Sequence, residues 1–254
     1  MQTSGPQYKT TVRTRASVIV PVLDDTAQLI GLLASLTPAP GVELIVVDAS
    51  ARPGTAALER AHPDVLWLAA EQGRAVQMNR GAAAARGDWL LFLHADSRLP
   101  PDWLATILDA DAAGAVGGSF RFTLGSDARA ARIIERGVAW RVRRLNLPYG
   151  DQALFVRRDV FDELGGFTEL PIMEDVDLVR RLSRRGKLLH SQRPVATSAR
   201  RWERDGWVRR TTLNLVVLAL YFLGVHPARL AKVYESGKRL SRPRAAERSA
   251  SSQG

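Results

Sequence analysis

Three acidic clusters in this 254-residue chain have the types and spacing of a catalytic site. Val46-Val47-Asp48 and Leu91-Phe92-Leu93-His94-Ala95-Asp96 are apolar runs that end abruptly in a carboxylate, and Met173-Glu174-Asp175-Val176-Asp177 opens a helical pattern. A strand that ends in an acid delivers it to the carboxyl edge of a parallel sheet, where such sheets take their ligands. The layout suits a metal, a nucleotide and a proton-abstracting base. Each cluster also has a purely structural reading. Asp48 could cap a turn, His94 could be a ring hydrogen-bonded inside the fold, and the acids at 174–177 could balance a helix dipole.

The elements that must position these groups alternate regularly in the first half. Strands are expected over residues 17–21, 43–47, 64–68 and 89–93, the last a continuous apolar run of the kind buried inside parallel sheets. Helices are expected over 26–36 with Asp25 as N-cap, over 56–61, and over 75–86 with Gly87 just past the end. Strand and helix in this order predict βαβ crossovers and a doubly wound sheet. The second half reads as a strand over 114–122 whose Gly117-Gly118 permits a close backbone approach, and an amphipathic helix over 128–145. A short strand at 153–156, a helix at 159–164 stopped by Gly165-Gly166, and a helix at 174–185 follow. Residues 207–225 are strongly apolar. Arg209, Arg210 and Asn214 cut the run below the roughly 20 residues a spanning helix needs, so a core or interfacial helix is expected.

Composition sets outer bounds. Hydrophobic residues at 46% and charged residues at 24% are ordinary for a globular chain. With no cysteine, disulfides, thiolate metal sites and cysteine nucleophiles are excluded, which fits a reducing compartment. Residues 1–15 are polar and basic without an apolar core, so a flexible arm and no secretory signal are expected there. The net charge of +10 attracts phosphate in any form. The arginine clusters carry few interleaved aromatics, so nucleic acid is not an expected partner.

Taken together, Val18-Ile19-Val20-Pro21, Val46-Val47-Asp48, the strand ending His94-Ala95-Asp96, and Glu174-Asp175-Val176-Asp177 resemble in order and spacing the family-2 inverting glycosyltransferases of GT-A fold. The nearest resemblance is to a small bacterial branch with His-Ala-Asp in place of Asp-x-Asp. It implies a mostly parallel GT-A sheet flanked by helices over 16–200. The apolar run makes 201–238 a helical extension that packs in the core or faces a membrane, and the Ser-, Arg-, Ala- and Pro-rich residues 239–254 are expected to form a disordered basic tail. The resemblance also implies transfer of a sugar, with inversion, from a nucleoside-diphosphate sugar (UDP-sugar favoured) to a hydroxyl acceptor, a lipid-linked one included.

By the same resemblance, Asp175 is the base with Glu174 beside it. Pro21, Asp48, Arg74, Asn79 and Ala95 contact the nucleotide, Asp96 holds Mn²⁺ or Mg²⁺, and Tyr149 and Gln152 face the sugars. The chemistry is consistent with these assignments. A carboxylate accepts from an imide N–H, crowded acids make a base for neutral pH, and hard cations prefer oxygen. Arg200-Arg201-Trp202 resembles the diphosphate-holding basic-aromatic motif of processive members, without its Gln. A cytoplasmic enzyme, peripheral at the inner face of the membrane, is expected. A nucleotidylyltransferase would carry a glycine-rich loop after the first strand, where this chain has Pro21-Val22-Leu23-Asp24-Asp25. A degenerate, non-catalytic binding module would have no chemical need for Asp48, Asp96 and Asp175 together.

Overall fold

Strand β1 (Ala16–Val22) is buried on both faces, and the fold is assembled around it. In the computed structural model, which describes residues 13–36, 39–51 and 54–239, Val18 and Val20 turn to one side and Ile19 to the other. The chain continues as α1 (Thr26–Ser35), β2 (Val42–Asp48), α2 (Ala56–Ala61), β3 (Leu66–Ala69), α3 (Arg74–Ala84) and β4 (Trp89–Phe92). Next come β5 (Ser97–Arg98), α4 (Trp103–Ala112), β6 (Gly117–Leu124) and α5 (Arg129–Leu145). A single 3₁₀ turn, Gly150–Gln152, leads to β7 (Leu154–Arg157), α6 (Arg158–Glu163), α7 (Glu174–Arg185) and β8 (Leu188–Thr197). Helices α8 (Arg200–Asp205), α9 (Trp207–Phe222) and α10 (Pro227–Arg239) finish the described chain.

All eight strands join one sheet in the order β3-β2-β1-β4-β7-β6-β8-β5. From β3 to β4 the pairing is parallel; β7 then runs antiparallel to both β4 and β6. Strand order reverses beside β1, and a crevice opens there beyond the strands' carboxyl ends. Leu29 and Leu32 of α1 and Ile107 of α4 cover one face of the sheet. Met78 of α3, Phe161 of α6 and Leu178 and Leu182 of α7 cover the other. Two covered faces explain why β1 and β4 read as unbroken apolar runs. Buried Gln77 ties α3 to the crevice, its Nε2 donating to the carbonyls of Val22 (2.7 Å) and Val47 (2.9 Å) at the ends of β1 and β2.

The expected doubly wound half is present, and so is the close approach at Gly118. A Cβ there would lie 2.0 Å from the Leu189 carbonyl oxygen. Other expectations are corrected. Asp25 stands before α1 but its side chain does not cap it; the carboxylate instead takes the guanidinium of Arg200. Gly87 is no helix C-cap, since α3 ends at Ala84. Gly87 is required because a Cβ would sit 2.6 Å from the Ser17 nitrogen, and its N–H donates to Ser17 Oγ at 2.9 Å. Helix α4 and strand β8 were not anticipated. Residue 200, the expected domain boundary, opens α8, and Trp202 of that helix packs with Phe122, Leu124 and Ala131 of the sheet domain. Residues 1–12 of the expected arm and 240–254 of the expected tail lie outside the described residues.

Candidate active site

Two adjoining cavities occupy the crevice, and they share a wall made by Arg74, His94, Asp96, Glu174 and Arg201. One cavity runs toward the ends of β1 and α3, past Pro21, Gly73, Gln77 and Ala95. The other runs toward α7 and the C-terminal helices, past Tyr149, Asp151, Asp175, Arg210, Asn214 and Val217. Pro21 and Ala95 therefore line one side, Tyr149 and Asp175 the other, and Arg74, Asp96 and Glu174 the boundary. Asp48, Asn79 and Gln152 line neither.

The shared wall is held by charge. Glu174 is 2% exposed, and its Oε1 accepts from Arg74 Nη1 at 3.0 Å. Burial pushes the Glu174 carboxyl up, Arg74 pulls it back, and neighbouring Asp175 raises it further. The Arg74 guanidinium is raised in turn by Glu174. His94 is held well below the ordinary imidazole range by burial and by the positive charges of Arg74 and Arg201, so its ring is neutral. His94 Nε2 is buried with no hydrogen-bond partner among the described residues. The ring hydrogen bond expected of a merely structural histidine is absent at this atom. Asp96 is buried, and its carboxylate lies 3.8 Å from the guanidinium groups of both Arg200 and Arg201.

Asp175 is the second residue of α7, which follows Met173, whose φ of 69° is in the left-handed region rarely adopted by a residue with a side chain. Asp175 Oδ2 accepts the N–H of Gly150 at 2.7 Å and Oδ1 the N–H of Val176 at 2.8 Å, so the group is fixed against the loop before β7. A Cβ on Gly150 would meet Asp175 Oδ2 and His94 Nε2, each at 3.3 Å, which brings these two groups to one spot. Gln152 builds that loop. It is 1% exposed, donates to the Phe120 carbonyl at 3.1 Å, and accepts from the Tyr149 N–H and from Arg141. Arg141 lies 3.4 Å above the Tyr149 ring. The Tyr149 hydroxyl is pushed up to about 12, chiefly by burial, with Arg141 opposing.

The remaining residues singled out from the sequence have defined surroundings. Asp48 Oδ1 accepts from the Ser50 N–H (2.9 Å) and Oδ2 from the Thr55 hydroxyl (2.8 Å), which leaves each oxygen a further lone pair. Asn79 spends both ends of its amide on the main chain of Phe167, each at 2.9 Å. Asp177 leaves the site and pairs with Arg181 and Thr168.

Sequence reasoning passed over one carboxylate at the centre of the site. Asp151 lines the cavity beside Asp175, its Oδ1 is buried without a partner among the described residues, and its pKa rises to about 6. The main cause is burial; Arg141 opposes it, and Asp175 and Asp96 add to it. The only signal in the sequence was its place between Tyr149 and Gln152. Tyr234 of α10, which also lines both cavities, carried no signal at all.

Comparison with known proteins bears on the family and the fold. Residues 17–167 match the profile of Glycosyl transferase family 2, more than half of the chain. A segment of 113 residues is 34% identical to the succinoglycan biosynthesis protein ExoO of Rhizobium meliloti (strain 1021), covering 42% of this chain but only 32% of that protein's length. Among solved structures, the mannosyltransferase PcManGT from Pyrobaculum calidifontis, in complex with GDP-Man and Mn²⁺, is similar with a TM-score of 0.61 at 20% identity. The match covers 96% of this chain and 77% of that one. S. aureus TarS 1-349, in complex with UDP-GlcNAc, gives 0.56 at 17% identity, covering 72% and 58%. At such identities the structures establish the shared fold, and the sequence profile establishes the lineage: the chain belongs to the family 2 glycosyltransferases and has their GT-A fold.

Proposed function

We propose that the chain transfers a sugar, with inversion, from a nucleoside-diphosphate sugar to a hydroxyl acceptor. The observation that carries this reading is the shared wall. Asp96, Glu174, Arg74 and neutral His94 separate a cavity at the switch point of the sheet from one that holds Asp175. The first cavity takes the nucleotide diphosphate, with Pro21, Arg74 and Ala95 along it. The second takes the acceptor, beside Tyr149 and above the loop that Gln152 builds. Similar structures in complex with UDP-GlcNAc and with GDP-Man support a diphosphate donor. The similarity to a succinoglycan biosynthesis protein supports a carbohydrate acceptor.

The reaction follows from the chain's own groups. Asp175, fixed by the Gly150 and Val176 N–H groups, takes the proton of the acceptor hydroxyl as that oxygen bonds to the anomeric carbon. The bond from that carbon to the diphosphate breaks on the opposite face, and the diphosphate leaves with the electron pair. Arg74, Arg200 and Arg201 supply positive charge where negative charge grows. Among the described residues no group of three or more His, Cys, Asp or Glu side chains could enclose a cation. The buried Asp96 carboxylate is the hard oxygen donor that this chain would offer to a divalent cation. Mn²⁺ or Mg²⁺ bound there would neutralise the leaving diphosphate.

The test is a thermal-shift titration with UDP, GDP, dTDP and CDP, each with and without Mn²⁺. One diphosphate is expected to raise the melting temperature, and more so with Mn²⁺. Asp175→Asn should keep that shift and lose roughly 10²–10⁴-fold in transfer. No shift with any diphosphate would remove the reading.

A further inference from the structure

Helix α9 joins the acceptor cavity to an exposed apolar surface. On one side Arg210, Asn214 and Val217 line the cavity, and Leu218 and Tyr221 pack with Val176 and Val179 of α7. On the other side Val208, Leu215, Val216, Phe222 and Leu223 are exposed, Val208 and Leu223 by 80% each. Positions 208, 215–216 and 222–223 fall on one face of a 3.6-residue period, along roughly 22 Å of helix. Exposed Thr212 and Ala219 fill the turns between, and the helix contains no acid.

The charges around this stripe are basic. Arg209 borders its start, and the Arg180 guanidinium lies 5.4 Å from the Phe222 ring. Helix α10, packed on α9, exposes Arg229 and Lys232. Neighbouring α5 exposes Ile133 and Trp140 among Arg136, Arg143 and Arg144. No described helix is long and apolar enough to cross a membrane. An apolar stripe on a basic surface is the combination that settles in the interface of an anionic bilayer.

We propose that the exposed face of α9 docks on an anionic membrane surface and thereby sets the acceptor cavity beside the lipid headgroups, so that an amphiphilic acceptor enters from the bilayer. The docking stands on the helix alone; the acceptor's route rests on the glycosyl-transfer reading. The net charge of +10 favours this occupant over a second copy of the chain, which would bring like charge against like.

The test is flotation of the full chain with vesicles of phosphatidylcholine alone and of phosphatidylcholine mixed with phosphatidylglycerol. The wild type is expected to float with the mixed vesicles only, less so at high salt. The double variant Leu215→Glu/Phe222→Glu should bind at least about tenfold more weakly, while its nucleoside-diphosphate thermal shift stays as in the wild type. A wild type that floats with neither vesicle overturns the docking, as does a double variant that floats unchanged. A wild type of twice the chain mass in light scattering, made monomeric by the double variant and never floating, also overturns it and makes the stripe an interface between copies. A diphosphate shift without flotation sinks the docking alone. Flotation without any diphosphate shift keeps the docking and sinks the transfer reading.

Discussion

Asp151 and Asp175 sit on one cavity in opposite electrostatic situations. Asp175 receives a main-chain N–H at each oxygen, whereas Asp151 keeps Oδ1 buried and without a partner among the described residues. Its pKa is raised from 3.8 to about 6, mainly by burial. The folded chain therefore holds more protons than the unfolded chain between these values, and stability falls as pH rises through that window. Above it the penalty is fully present, on the order of 2–3 kcal/mol. Asp151→Asn removes the charge, so it should gain about 1–2 kcal/mol in urea unfolding at pH 8 and nothing near pH 4. An equal change at both pH values would show that the carboxylate carries no such penalty. A site that gives up stability in this way does so for function, so the same variant should lose transfer. Asp48, Asp96 and Asp175 were legible because each ends or opens a regular element. Asp151 was not, because its burial depends on Gln152, Arg141 and Thr197, the last of which donates to the Asp151 carbonyl at 3.0 Å from another strand.

Elements with both faces buried were the readable ones. Strands β1, β2 and β4 and helix α3 follow from apolar runs and period. Strand β8 does not, because its middle, Gln192-Arg193-Pro194, is exposed and carries no apolar alternation, and it is held as a strand by its pairing with β6 and β5. Helix α3 also does more than its period announces. Gln77 grips β1 and β2, and Asn79 grips the turn after α6. Asn79 was read as a nucleotide contact, and its geometry gives that reading a competitor. Asn79→Ala leaves the N–H and carbonyl of Phe167 without their partner, which should cost about 1–3 kcal/mol with the diphosphate affinity unchanged. Affinity lost at unchanged stability, measured by calorimetric titration beside urea unfolding, would instead restore the nucleotide contact.

At the scale of the whole molecule, the family profile ends at residue 167, while the cavities are completed by chain beyond it. Asp175, Arg201, Arg210 and Tyr234 all come from that later part. Asp175 and Arg201 were legible as parts of motifs, whereas residues 201–238 as a whole read only as a helical extension with an apolar run. Its attachment has one buried polar centre. Arg210, 4% exposed, pairs with Asp205 at 3.1 Å and donates to the Tyr234 hydroxyl, so it locks α8, α9 and α10 together. Nothing in the local pattern of α9 marks Arg210 as buried, because its partners are supplied by two other helices. Arg210→Leu keeps apolar volume but removes a hydrogen-bond donor to Tyr234 and a buried cation from Asp205, which Arg204 also pairs with. The expected loss is about 2–4 kcal/mol, confined to the last three helices because β1 to β4 keep both of their covered faces. Hydrogen exchange should then show faster amides through α9 and α10 with unchanged protection in β1, β2 and β4. Nucleoside-diphosphate affinity should weaken only modestly, since Tyr234 is a small part of that cavity, while transfer falls with the loosened acceptor wall. Uniformly faster exchange across the sheet would mean that the extension and the sheet domain unfold as one unit, and that Arg210 supports the whole chain.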